Sequence, residues 1–216
     1  MPFSPDFPRT RFIYGIFHHI TPFRGRTFFA RGNAGLAYLV KKTIVLVGMM
    51  GAGKTAVGQA LARLLGVEFL DSDVEIRRAA AMSIAEIFAR DGEAFFRDRE
   101  AEVIARLLET ERCVLSTGGG AFLAGRNRAA ISRAGVSVWL DAPLDLLWER
   151  VRHKDTRPLL RTPDPKATLA ELYEARVPVY RLADLRVEAR PEYSISDMAG
   201  RVLAALQSRP DVLEET

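Results

Sequence analysis

A single cysteine in 216 residues, Cys113, rules out an internal disulfide and a cysteine-built zinc site, and so fits a reducing compartment. Set between Arg112 and the apolar pair Val114-Leu115, it reads as a buried strand residue and not as a nucleophile. No apolar run approaches the ~20 residues needed to span a bilayer. The first forty residues also lack the unbroken apolar stretch and small-residue cleavage site of a secretory signal. Acidic residues are scarce at that end, where Arg9, Arg11, Arg24, Arg26, Arg31, Lys41 and Lys42 face Asp6 alone. Because the whole chain carries only +4, the rest is mildly acidic. A mildly acidic body with local arginines suits a small anionic ligand and argues against a nucleic-acid backbone. A cytoplasmic monomer with no nucleic-acid or membrane partner is the expectation.

What is present is enough for one full core, with 48% hydrophobic residues. Residues 1–40 show no steady period and are punctuated by Pro2, Pro5, Pro8 and Pro22. They read as an extension, either disordered or the product of a start codon assigned too far upstream, although their Arg-rich character also suits a targeting segment or contact with a membrane surface. The domain is expected over residues 41–208, with a short tail at 209–216.

The most specific local signal is Gly48-Met49-Met50-Gly51-Ala52-Gly53-Lys54-Thr55, preceded directly by the apolar run Ile44–Val47. It matches the phosphate-binding loop pattern. Small residues at Gly51, Ala52, Gly53 and Ala56 let backbone N–H groups wrap a phosphate, and Lys54 supplies a cation. Thr55 offers a hydroxyl to a magnesium ion carried by a nucleotide, and the helix that starts near Lys54 turns its positive end toward the same anion.

Beyond this loop, strands and helices alternate. Helix Lys54–Leu65 carries the stripe Val57, Leu61, Leu64 and Leu65, and Gly66 suits its C-terminal cap. Strands are expected at Val67–Leu70, Cys113–Ser116, Val136–Leu140 and Leu185–Val187. Ser83 and Glu86 form a capping box for a helix that stops by Gly92. Further helices are expected at Glu93–Glu109, Arg126–Arg133, from Pro143, at 167–177 and at Ser196–Gln207, and the proline-rich segment 153–166 reads as a mobile loop. This order implies an α/β fold, a five-stranded parallel sheet with helices on both faces. In such sheets ligands bind beyond the carboxyl ends of the strands. The phosphate loop, Asp71-Ser72-Asp73 and Gly118-Gly119-Gly120 all fall at such ends.

Asp71 and Asp73 can divide labour, one helping to hold hydrated magnesium and the other facing a substrate hydroxyl, while an Asp at this junction also serves as a helix cap. Three consecutive glycines suggest that something approaches the backbone closely, such as a ring-shaped substrate. Arg97 has the planar fork that suits a carboxylate, and so do Arg176, Arg157 and Arg152, although each could equally be an exposed helix charge.

Taken together, these residues resemble the shikimate kinase family from about Ile44 to Leu206. The strings that carry the resemblance are Gly48–Thr55, Asp71–Ile76, Gly92-Glu93 with Phe96-Arg97 and Glu100, Leu115–Ala121, Arg157–Leu160 and Arg176–Tyr180. The resemblance implies a P-loop NTPase-type, nucleoside-monophosphate-kinase-like fold with a mobile lid, and transfer of the γ-phosphate of ATP to the 3-hydroxyl of shikimate on the way to chorismate. It implies that Asp73 binds ring hydroxyls and orients or deprotonates the nucleophile. Arg97 and Arg176 clamp the carboxylate, and Gly118, Gly119 and Gly120 line the ring. Lys54 and the lid residue Arg157 meet the moving phosphoryl group, Thr55 ligates Mg2+ directly, and Asp71 acts through water. Arg152 would contact adenine or phosphates.

The chain departs from the pattern at Ala56, where many members carry a second hydroxyl residue, and in the compact segment between Arg152 and Arg157. Residues 1–40 have no counterpart in the family domain. Two other readings stay open at this point. One is an inactive nucleotide-binding relative, which would be expected to lose Lys54, Asp73 or an arginine; the other is a kinase of another polyol or sugar acid.

Overall fold

The computed structural model describes residues 38–153 and 158–216. Its elements run β1 (Tyr38–Val40), β2 (Thr43–Val47), α1 (Lys54–Leu65), β3 (Phe69–Asp71), α2 (Ser72–Ala80), α3 (Ile84–Thr110), β4 (Val114–Ser116), α4 (Gly125–Ala134), β5 (Gly135–Asp141), α5 (Leu144–Val151), α6 (Pro165–Tyr180), β6 (Leu185–Glu188), α7 (Ile195–Leu206) and β7 (Leu213–Glu215). The parallel five-stranded sheet has the order β3-β4-β2-β5-β6, with helices packed against it. Every residue of β2 and β5 is buried, as continuous apolar runs at the centre of a parallel sheet require. No helix among the described residues is long and apolar enough to cross a membrane.

Several local expectations hold for visible reasons. Gly66 takes a left-handed conformation (φ 64°) at the end of α1. Ser83 and Glu86 close the capping box of α3, and Gly92 (φ 83°, ψ 172°) breaks that helix into the two pieces its sequence suggests. Cys113 is buried, and burial pushes its thiol up to about 12, so it is an inert core residue.

Three expectations need correction. First, a helix absent from the expected elements, α2, begins at Asp71-Ser72-Asp73. Asp71 Oδ1 accepts from Asp73 N at 3.0 Å and Val74 N at 3.4 Å, which caps the helix. The helix was hidden because it buries only Ser72 and Ile76 and so lacks an apolar stripe. Second, the domain reaches past the limits of 41 and 208. β1 pairs antiparallel with β7, and Tyr38, Val40, Val212 and Leu213 join the core. Ion pairs Lys41–Glu214 and Lys42–Asp211 flank the pair, but being exposed they add little. Two three-residue strands far apart in sequence leave no periodic trace. Of the extension expected at residues 1–40, residues 1–37 lie outside the described residues.

Third, the segment read as a loop at 153–166 contains a tight 3-10 turn at Pro158–Leu160 with Leu160 buried, and α6 starts at Pro165 with Asp164 as its cap. Residues 154–157, and with them the expected lid residue Arg157, lie outside the described residues.

Candidate active site

The loop between β2 and α1 adopts the shape that its glycines permit. Gly53, at the N-cap of α1, has φ 95°, and Gly51 has φ 83° with Val151 Cγ1 only 2.8 Å from where a side chain would begin. Both positions exclude other residues. Lys54 Nζ donates to the carbonyls of Gly48 at 2.7 Å and Met49 at 2.9 Å, so its ammonium sits across the mouth of the loop. The loop floors a cleft of about 440 Å³ whose walls include Thr55, Asp71, Asp73, Gly118 and Gly119. Thr55 and Asp71 give this wall two hard oxygen donors. A donor set so small suits an ion that keeps several waters and binds mainly through nucleotide phosphates, as Mg2+ does.

Asp73 is drawn toward the cleft by the first turn of α2. Burial, followed by the nearby Asp71, holds its carboxyl above the ordinary carboxylate value, although Lys54, Arg77 and Arg97 pull the other way. Its oxygens stand beside the glycine loop after β4. A side chain at Gly118 would begin 2.9 Å from Asp73 Oδ1, and one at Gly120 would begin 2.9 Å from both terminal nitrogens of Arg97. None of the three glycines has a positive φ, so at 118 and 120 it is crowding by these two side chains, and not backbone angle, that disfavours a larger residue. What approaches the backbone at 118 and 120 is therefore the protein's own Asp73 and Arg97. Gly119 differs, because Arg176 Nη1 at 3.6 Å, Gly48 O at 3.8 Å and Met50 N at 3.9 Å leave ordinary room for a methyl group.

Arg97 is held in place by carboxylates. It pairs with Glu93 at 3.2 Å and with Glu100 at 2.9 Å, the latter 1% exposed. Burial pushes the Glu100 carboxyl above its ordinary value, although Arg97 pulls the other way. The structure thus brings Asp73, Arg97, Arg176 and the three glycines together and sets Gly119 against the phosphate loop.

Arg152 takes no part in the cleft, since it pairs with Glu149 at 2.9 Å on an exposed helix end. Among the described residues, the arginine that reaches the loop is Arg150, whose Nη1 donates to Gly51 O at 3.3 Å and which lines the cleft. Sequence reasoning passed over it, although helical spacing offered the signal. Leu147 and Val151 pack under Gly51, and position 150 shares their face of α5. Tyr193, Ile195 and Met198, at the start of α7, close another wall and had no sequence signature.

Comparison with known proteins gives a consistent result. A family profile described as shikimate kinase matches residues 50–207. A curated shikimate kinase of Ruegeria pomeroyi is 70% identical over 83% of this chain and 92% of its own length. That of Cereibacter sphaeroides is 67% identical over 81% of this chain and 87% of its own. The solved structure of the Acinetobacter baumannii shikimate kinase in complex with shikimate superposes with a TM-score of 0.73 at 41% identity, covering 77% of this chain and 93% of that one. With the profile match running from Met50 in the phosphate loop through Asp73, Arg97, the glycine loop and Arg176, the chain belongs to the shikimate kinase family.

Proposed function

We propose that this chain transfers the γ-phosphoryl group of ATP to the 3-hydroxyl of shikimate, giving shikimate 3-phosphate and ADP for chorismate and aromatic amino acid synthesis. The observation that carries this reading is the glycine loop. Its three residues face Asp73, Arg176 and Arg97 in turn, and a side chain at its middle residue would begin 3.8 Å from the carbonyl of Gly48 in the phosphate loop. In this reading a hydroxyl acceptor and a triphosphate meet where the two loops adjoin, and positioning is most of what phosphoryl transfer needs.

In this reading the substrate carboxylate lies between the Arg97 and Arg176 forks, and its ring rests on Gly118–Gly120. The Asp73 carboxylate accepts the proton of the 3-hydroxyl as the oxygen forms its bond to the γ-phosphorus. The bond from that phosphorus to the β-γ bridging oxygen breaks, and ADP leaves with the electron pair. Gly51, Ala52, Gly53 and Ala56 cradle the phosphates with Lys54, and Arg150 joins them. Arg157 belongs to the same set by family resemblance. Mg2+, held by the Thr55 hydroxyl and through water by the Asp71 oxygen not used in capping, would neutralise phosphate charge. The chain is read as a cytoplasmic monomer that meets only small molecules.

A coupled ADP-release assay with and without shikimate tests the reaction. Arg97→Ala and Arg176→Ala should each raise the half-saturating shikimate concentration about 10- to 100-fold, the value of a charge-assisted contact, with a smaller effect on turnover. Unchanged half-saturation in both variants would remove the carboxylate role. Gly119→Ala separates packing from function in the glycine loop. Its methyl group meets no protein atom closer than 3.6 Å, so the melting temperature should hardly move while shikimate binding weakens at least about tenfold through crowding of the ring. Equal shikimate affinity in this variant would place the substrate elsewhere.

A further inference from the structure

A loop of three glycines has no side chains with which to fix itself, and its backbone entropy is the largest available. Here it is pinned from two sides. Gly118 N donates to the buried Ser72 hydroxyl at 3.3 Å, and the Tyr180 hydroxyl donates to the Gly119 carbonyl. Each anchor shares a helix with a residue of the acceptor site, Ser72 being next to Asp73 on α2 and Tyr180 one turn beyond Arg176 on α6. The Tyr180 side chain is wholly buried and its ring stacks on Trp139 of β5, with centroids 6.3 Å apart and an interplanar angle of 26°. Trp139 backs the phosphate loop in turn, its Cδ1 standing 3.3 Å from where a side chain at Gly48 would begin. Burial pushes the phenol above its ordinary value against the pull of Arg176, so the group remains a neutral donor at any working pH.

We propose that Tyr180 is a positioning residue for the phosphoryl acceptor: its hydroxyl fixes the Gly119 carbonyl, and its stack on Trp139 sets that carbonyl at a constant distance from the phosphate loop. Without the hydroxyl, the middle peptide of the glycine loop loses this side-chain donor and can rotate. The surface on which the ring rests then ceases to be registered to Arg176. The inference rests on the reading of Gly118–Gly120 as the acceptor platform.

Tyr180→Phe keeps the ring and its stack and removes the hydroxyl, which donates to Gly119 and also shares a hydrogen bond with Arg176. It should raise the half-saturating shikimate concentration about fivefold, the factor carried by one hydrogen bond of ordinary net strength. The half-saturating ATP concentration should stay within about twofold, because the phosphate loop keeps its own bonds, and a hydroxyl that served only to stabilise the fold would not split the two constants in this way. Direct titration with shikimate should show the same fivefold loss and serves if turnover is too low to assay. The proposal is overturned if shikimate affinity is unaltered, or if both constants rise together with a lower melting temperature. Arg176→Ala run alongside separates the two levels. A large effect there with none in Tyr180→Phe removes the positioning role alone, whereas no effect in either removes the platform itself.

Discussion

Asp73→Asn is expected to lower turnover by about 10²- to 10⁴-fold, the usual contribution of a positioned general base, and in the same protein to raise the melting temperature at neutral pH. Asparagine keeps the shape and can still hydrogen-bond a ring hydroxyl, so shikimate affinity should change less than the rate. The stability gain follows from the carboxyl group's surroundings. Burial, and then Asp71, raise its value in the folded protein above the ordinary 3.8. A group raised in this way favours folding when protonated. Its contribution is complete below 3.8 and is lost as pH rises through the folded value. At neutral pH the buried carboxylate is therefore a net cost to the fold, retained for the reaction.

The amide avoids that cost, so the melting-temperature difference between variant and parent should be widest near neutrality and should close as the pH falls toward 3.8. Melts across pH 4 to 8, set beside single-turnover rates, provide the check. A variant that turns over normally would end the role of Asp73 as base. One less stable than its parent at neutral pH would mean that attraction to Lys54, Arg77 and Arg97 outweighs burial.

Lys54→Ala is expected to cost about a thousandfold in turnover, since a cation aimed at charge that grows on the phosphoryl oxygens is worth that much in a site walled off from water. Shikimate affinity should be nearly unchanged, because Asp73, Arg97 and Arg176 stay in place. Lys54 has a second task that the alanine also removes: its ammonium bonds the Gly48 and Met49 carbonyls and helps hold the loop's arc. ATP affinity should therefore fall along with the rate. Lys54→Arg should not restore the rate, for a broad guanidinium fork cannot occupy the point position of an ammonium between two carbonyls. ADP release at saturating shikimate, with shikimate titrated separately, measures both effects. Turnover within about tenfold of the parent would contradict the assignment.

The arrangement also shows why parts of the site could be read in advance and others could not. The phosphate loop is local: eight residues, a strand before and a helix after determine its shape, so Gly51, Gly53, Lys54 and Thr55 were legible directly. Asp71 was legible only as a choice between cap and metal ligand. Its Oδ1 proves to cap α2, which leaves Oδ2 for water. Arg97 and Arg176 owed their selection to the resemblance, since a chain with 31 Lys and Arg offers many arginines that look alike. What distinguishes Arg97 in space is a carboxylate buried behind it, Glu100. Arg150 and Tyr180 show the reverse error, because both sit on helices whose inward faces could have been computed, yet nothing local says what those faces touch.

The order of apolar runs, glycines and caps determined a parallel α/β sheet with a phosphate loop between its first strand and the following helix, because hydrophobic period, capping and backbone freedom all act within a few residues. The tertiary structure alone decided that β1 closes against β7, that Gly118 and Gly120 are glycines to admit Asp73 and Arg97, and that Tyr180 holds Gly119. These are contacts between segments tens of residues apart, governed by which surfaces exclude water together. No spacing within one segment records them.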